Sequence, residues 1–388
     1  MKKAIVIDFF IILFIGIGMS LLVGVLPFYG ESLKLSKFEL GVIISLTFLS
    51  NFVAGPIWGE LSDRYGCRKP FIIASLITGG FLVMLTSFCT NAISLGVIIF
   101  LGNLVIASVN SLLVPILTDI IEKSRTGAVI GMYVSGGGIT SVIGLALSGL
   151  LIEIFGYTCV LTVAGLFLWL GGLTLLGFKE IKFKSKNVGK IVDLFSPFLN
   201  LIKPRTFLDK YCVCTIILGI ADAVVFSLIL LFLEQVIGVS KAIATFLLAL
   251  GPLMRTFIAL FLGNAINKYS VRKVLDIGMI GIPLAYLAVA LSPNMVTAAL
   301  SLACEGGVWG IYYFGSQFLF ASVLERERKG AYMGLLNGSW CLGWLLGSLL
   351  EGGLLTKFSF RYTYLFGSLV ALSGAIIYSL YVRSDINF

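Results

Sequence analysis

Apolar runs of about twenty residues, separated by short clusters of Gly, Pro and charge, recur along almost the whole chain. A helix needs about 20 such residues to cross a hydrocarbon layer of about 30 Å. Lipid offers the backbone no hydrogen-bond partner, so only helices and closed barrels can span it. A barrel strand would read as about 10 residues of alternating polarity, and the runs here are twice that length. They fall at about 4–28, 39–61, 70–88, 93–117, 127–152 and 157–178, then at 208–233, 240–264, 272–290, 295–320, 330–355 and 361–381. The pattern predicts an all-α polytopic membrane protein with twelve transmembrane helices. The first run continues at full length, so it is read as a membrane helix and not as a cleaved leader.

Composition agrees where it bears on solubility. Only 12% of residues are charged and the mean hydropathy is +1.05, whereas a soluble domain carries about 25% charge. The net charge of +9 does not indicate nucleic acid, because position matters more than the total. With the spans above, 22 of the 28 Lys and Arg fall on one side of the membrane. By the positive-inside rule that side is the cytoplasm, and both termini lie there. Seven scattered cysteines lack zinc-ligand spacing, and Cys212 and Cys214 are read as helix packing. With no histidine in the chain, any proton carrier has to be a carboxylate. Neither a metal nor a cofactor is expected.

The chain also repeats itself. GELSDRYGCRKPF from Gly59 recurs as GNAINKYSVRKVL from Gly263, an offset of 204, and Arg125, Gly127 and Gly131 recur as Arg328, Gly330 and Gly334, an offset of 203. Gly144 and Gly149 recur as Gly347 and Gly352. An offset of 203 to 204 recovered at several places marks two copies of one unit. The reading is therefore a six-helix bundle over 1–178, a Lys-rich cytoplasmic linker over 179–207 whose 194–207 stretch can lie along the membrane surface, and a second six-helix bundle over 208–388. Two units of the same orientation imply a substrate cleft between them near the midplane.

On these features the chain resembles the major facilitator superfamily: the 6+6 spans, the central linker, and the loop between the second and third spans. That family's loop pattern is matched by Gly59, Asp63, Arg64, Gly66, Arg68 and Lys69. Physically, Gly59 permits close helix contact, Gly66 permits a tight turn, and Asp63 can accept charged hydrogen bonds. The resemblance implies that this loop is a conformational latch, with Asp119 and Arg125 as partners. In the second copy Asn267 stands where the first has Asp, while Arg272 and Lys273 persist, which implies a weaker latch. Two marks of the family's proton-coupled drug exporters are missing. Asn103 stands where a fourth-span Arg would be, twelve residues before Pro115, and Gly144 is followed by Leu145 instead of Pro.

Ionisable groups at bilayer depth are costly and are functional candidates by default. Asp222, Arg255 and Glu305 all fall in the central third of their spans. The economical arrangement pairs Arg255 with one acid and leaves the other to exchange a proton. Burial favours the neutral acid and the guanidinium favours the ionised one. A permanently paired structural network is the alternative. Asn51, Asn103 and Asn110 in the first half, and Trp309, Tyr312 and Tyr313 in the second, are the candidate pocket residues. Glu153, Glu234 and Glu351 lie towards the outer helix ends and are read as vestibule groups.

These features predict a secondary transporter, not an enzyme, since no nucleophile, base and metal constellation is visible. The substrate is a small molecule, with a proton or another ion as the coupling partner, the lipid bilayer as the environment, and a monomer sufficient for the task. Export of amphiphilic or drug-like compounds and uptake or exchange of an organic anion or sugar both remain open. A non-transporting scaffold or receptor is the third reading.

Overall fold

The structure, a computed structural model, describes residues 2–118, 126–177, 198, 201, 204, 206–265, 270–323 and 329–386. The proposed linker therefore lies almost wholly outside the described residues. Those that are described form helices and no strand. In chain order they are α1 (Lys2–Ser32), α2 (Lys37–Tyr65), α3 (Lys69–Leu85), α4 (Ala92–Thr118), α5 (Thr126–Leu176) and α6 (Phe207–Phe226). The remainder are α7 (Ile229–Gln235), α8 (Lys241–Ala265), α9 (Val271–Leu291), α10 (Met295–Val323), α11 (Lys329–Leu354) and α12 (Phe360–Tyr381). Ten spans among the described residues are long and apolar enough to cross a membrane.

The ends of these helices are written locally. Ser36 and Glu39 cap α2 reciprocally, through Ser36 N–H to Glu39 Oε2 at 2.7 Å and Glu39 N–H to Ser36 Oγ at 3.2 Å. Thr206 and Asp209 do the same for α6, at 2.9 and 3.1 Å. Asn91 accepts from Ser94 N–H before α4, and Asn294 accepts from Thr297 N–H before α10. The helix α5 is 51 residues long but is interrupted at Gly156, where φ is 79° and ψ is 178°. That backbone conformation is essentially restricted to glycine. It separates the two arms at the boundary read between the fifth and sixth runs.

The chain divides into two compact units. One comprises 1–35, 49–194 and 241–249; the other comprises 36–48, 195–240 and 250–388. In the first unit α1 lies between the two arms of α5: Gly16 faces Thr140, and Gly18 faces the Ala164 carbonyl. In the second unit α6 lies between α11 and α12 by the corresponding contacts, Gly219 against Gly343 and Ala221 against Gly367. Each of these residues stands 203 positions after its counterpart. Lipid tails are as apolar as leucine, so helices in a membrane gain little from burial alone and depend on such close packing of small residues.

The same correspondence holds at a further contact in each unit. A Cβ on Gly149 of α5 would meet the Ala242 Cα and the Lys241 carbonyl of α8 at 2.6 Å. A Cβ on Gly352 of α11 would meet the Lys37 carbonyl at 2.8 Å and the Phe38 and Gly41 Cα atoms at 3.1 Å. Glu153 Oε1 then accepts from Ala242 N–H at 2.9 Å, which makes Glu153 a cap for α8.

The seventh run differs from its expectation of one continuous helix. It breaks at Ser227 and Leu228 into α6 and α7, with Leu228 at φ −119° and ψ 21°.

Candidate functional site

Helical rise places Asp222 about 22 Å into α6, Arg255 about 21 Å into α8 and Glu305 about 15 Å into α10. Within the second unit these three groups belong to one cluster. Arg255 donates to Glu305 Oε1 at 3.1 Å, with the Glu305 side chain 2% exposed and the Arg255 side chain as a whole 45% exposed. Asp222 is bound differently. Its Oδ1 accepts from the Tyr286 hydroxyl at 2.6 Å, and its Oδ2 accepts from Trp344 Nε1 at 2.9 Å. Trp309 Nε1 donates to the Tyr286 oxygen at 2.7 Å, and the Arg255 guanidinium stands 5.9 Å from the centroid of a Trp309 ring. Two carboxyls are thereby linked through Tyr286, Trp309 and Arg255 across four helices.

The backbone sets this geometry through Gly306. Its Cβ direction points into Gly251, whose Cα would stand at 2.6 Å, so α10 and α8 touch backbone to backbone beside Glu305. On α6 and α10, Tyr312 bonds Thr215 at 3.0 Å and its ring stacks on Tyr211 with centroids 6.3 Å apart. Tyr211 in turn bonds Ser316.

The candidate pocket residues separate. Trp309 and Tyr312 are each 3% exposed and belong to the packed network, whereas Tyr313 is 48% exposed. Asn103 is buried and donates to the Ile99 carbonyl of its own helix at 2.9 Å. Asn51 lies half-buried on α2. Asn110 is on α4, and its side chain is outside the described residues.

The signature loop joins α2 to α3. Gly66 takes a φ of 66°, the left-handed turn that a glycine is needed for. Asp63 pairs with Arg68 at 3.7 Å, and Lys69 donates to the Leu176 carbonyl at 2.9 Å. Arg64 closes the last turn of α2. The close contact expected of Gly59 is not formed among the described residues, since a Cβ there would meet nothing within 4 Å. Asp119 and Arg125 lie outside the described residues. Arg272 and Lys273 begin α9, the first half-buried and the second exposed. Near them Asp276 holds Arg383 in a two-pronged pair, at 3.0 Å to Nε and 2.9 Å to Nη2. That carboxylate raises the affinity of the guanidinium for its proton.

Sequence reasoning missed two members of the cluster and misplaced a third acid. Tyr286 sits mid-span among apolar residues, where a hydroxyl has to find a partner; that was the available signal. Trp344 was visible only as an aromatic one turn from Trp340. Glu351, read as a vestibule group, is fully buried instead. The break after α6 supplies the donors that make this burial tolerable: the Ser227 hydroxyl bonds Glu351 Oε2, and Leu228 N–H bonds it at 3.0 Å.

Apolar helices joined backbone to backbone, with two acids and one arginine linked among them, are those of a multi-pass membrane protein. The sequence matches the family described as Major Facilitator Superfamily over residues 9–219 and 211–386. The multidrug resistance protein MdtG of Serratia proteamaculans (strain 568) is 28% identical over 232 residues, covering 58% of this chain. The match takes in 55% of that protein, so the chain spans about half the length of the MdtG relatives. The multi-drug resistance efflux pump PmrA homolog of Lactococcus lactis subsp. lactis (strain IL1403) is 24% identical over 97% of this chain and 92% of its own. Among solved structures, the nucleoside transporter NupG superposes with a TM-score of 0.78 at 13% identity, over 98% of each chain. The chain belongs to the major facilitator superfamily, a family of transmembrane transporters.

Proposed function

We propose that the protein is a proton-coupled secondary transporter that exports amphiphilic or drug-like small molecules by alternating access. The observation that carries the coupling is the charge count of the buried cluster. Asp222 and Glu305 are two acids against one guanidinium, so the cluster is neutral only with one proton bound. A substrate that displaces the proton, or the proton that displaces a substrate, then shifts the protein between its two access states. Similarity to multidrug resistance proteins supports export. Tyr313 and the stacked pair Phe48 and Trp344, 4.5 Å apart, supply aromatic surface of the kind such compounds need.

We read twelve crossings. The ten long apolar spans become eleven when the 41-residue one is divided at Gly156, and α11 is the twelfth. The first six belong to 1–178 and the last six to 208–388, joined by 179–207, with both termini cytoplasmic. The contacts of Gly149 and Gly352 then lie towards the outer surface and are broken when that side opens. The loop of Asp63, Arg64, Gly66, Arg68 and Lys69, with Asp119, Arg125, Arg272 and Lys273, closes the cytoplasmic side.

The second reading is uptake or exchange of an organic anion. It rests on the exposed part of Arg255, 45% of the side chain, which would meet a carboxylate. A panel of cationic dyes, organic acids and sugars, added in turn to proteoliposomes that report internal pH, decides between the two. Proton flux with the cations alone supports export of drug-like compounds. Flux with the acids alone transfers the assignment to the second reading.

Asp63 offers a separate test of the latch. Its pair with Arg68 is long and its side chain 46% exposed, so it contributes under about 1 kcal/mol to stability. Asp63→Asn should leave the melting temperature and substrate affinity near those of the parent while turnover falls by about tenfold or more. An equal loss of binding and turnover would count against the latch.

A further inference from the structure

From its position at the helix break, we infer that Glu351 is a second proton-binding carboxyl of the transport cycle, which clasps the junction of α6 and α7 when ionised and releases it when protonated. Its place in transport rests on the function proposed above; the clasp itself does not.

Three observations lead to it. Glu351 is fully buried, and among the described residues its Oε1 has no hydrogen-bond partner while Oε2 accepts from Ser227 and Leu228. A buried carboxyl half satisfied in this way is costly to keep, and such a cost calls for an explanation. Secondly, the two repeats differ in chemistry at this point. Residue 148 is the counterpart of 351, and residue 24 the counterpart of 227. In the first unit Ser148 packs against Gly24, and α1 runs through without a break. In the second unit the acid replaces the serine, and the helix opens to meet it. Leu228 N–H, which an unbroken helix would direct to the Val224 carbonyl, goes to Glu351.

Thirdly, the neighbour of Glu351 on α11 is Gly352, the residue packed on Lys37, Phe38 and Gly41. Glu351 therefore links the break to that contact. Among the described residues, the charged and titratable groups facing it are Lys37 from α2 and Tyr364 from α12. Lys37 also donates to Gln235 at the end of α7, at 3.1 Å. An ionised carboxylate accepts from Ser227 and Leu228 more strongly than a neutral acid does, so protonation loosens the break. Unperturbed lysine and tyrosine side chains titrate at about 10. A transition at the break between pH 5 and 8 therefore reports a carboxyl.

The test is hydrogen exchange of the peptide spanning 224–237 in the full-length protein in nanodiscs, from pH 8 to pH 5. Protection factors corrected for intrinsic pH dependence are compared between the parent and Glu351→Gln. The parent should lose about tenfold in protection as pH falls, and Glu351→Gln should stay at the low-pH level throughout. A flat parent profile, or a variant that follows the parent, overturns the inference. If the glutamine variant does not fold, Ser227→Ala takes its place: it should lower protection at pH 8 by about tenfold, and unchanged protection there overturns the clasp. No substrate or proton gradient enters this measurement, so failure of coupling at Asp222 leaves its result distinguishable.

Discussion

Arg255→Ala will abolish transport and destabilise the protein by about 3 kcal/mol, because it strands Glu305 in the interior without the guanidinium it pairs with. Breaking a buried ion pair from one side costs about 3–5 kcal/mol, and the lower end applies because Arg255 itself is 45% exposed. Loss of its side chain also removes the cation beside Trp309 and so disturbs the hydrogen-bonded path through Tyr286 to Asp222. The diagnostic result is the double variant. Arg255→Ala with Glu305→Gln removes both charges, and it should recover most of the lost stability while transport stays absent. Equal melting temperatures for the single and double variants would mean that the pair contributes nothing to the fold.

Gly306→Ala will cost nearly as much through backbone packing. The added methyl would meet Gly251 Cα at 2.6 Å and its carbonyl carbon at 2.8 Å, and backbone atoms cannot rotate out of the way. The helices α8 and α10 must separate, a change that overpacking data place at about 1–3 kcal/mol. Arg255 and Glu305 sit on those two helices, so their 3.1 Å bond is lost and turnover should fall by about a hundredfold. Gly307→Ala is the control on the next residue, where a Cβ meets nothing within 4 Å. It should melt at or slightly above the parent temperature, since alanine favours a helix over glycine. Similar losses in both variants would contradict the backbone contact.

What could be read from the sequence follows from what leaves a local mark. Hydrophobic runs are local, and so are the capping residues Ser36 and Asn91 and the glycine at 156. The repeat was legible because Gly144 and Gly149 recur as Gly347 and Gly352, and the structure uses them for corresponding contacts. Charges stand out in an apolar run, so Asp222, Arg255 and Glu305 were identifiable as a set. Their pairing was not. Arg255 bonds Glu305 while Asp222 takes its donors from Tyr286 and Trp344, a choice made by helix rotation and by the approach of α8 and α10 at Gly306.

Other features carried no local signal. The break after α6 falls in the apolar stretch from Val225 to Leu230, without Pro or Gly. Its stabilising partner, Glu351, lies more than a hundred residues away. Asn103, a pocket candidate in the sequence, donates its amide to the Ile99 carbonyl one turn back on its own helix, a contact that no sequence pattern announced.

The central claim is that the Asp222, Arg255 and Glu305 cluster exchanges a proton against a substrate. Its most direct test is internal pH in proteoliposomes containing the purified protein, beside an Asp222→Asn version. Addition of a transported compound should drive a proton flux in the parent that the variant lacks, while the compound still binds. Transport of the same compound without proton movement in the parent, or an undiminished flux in the variant, would contradict the account.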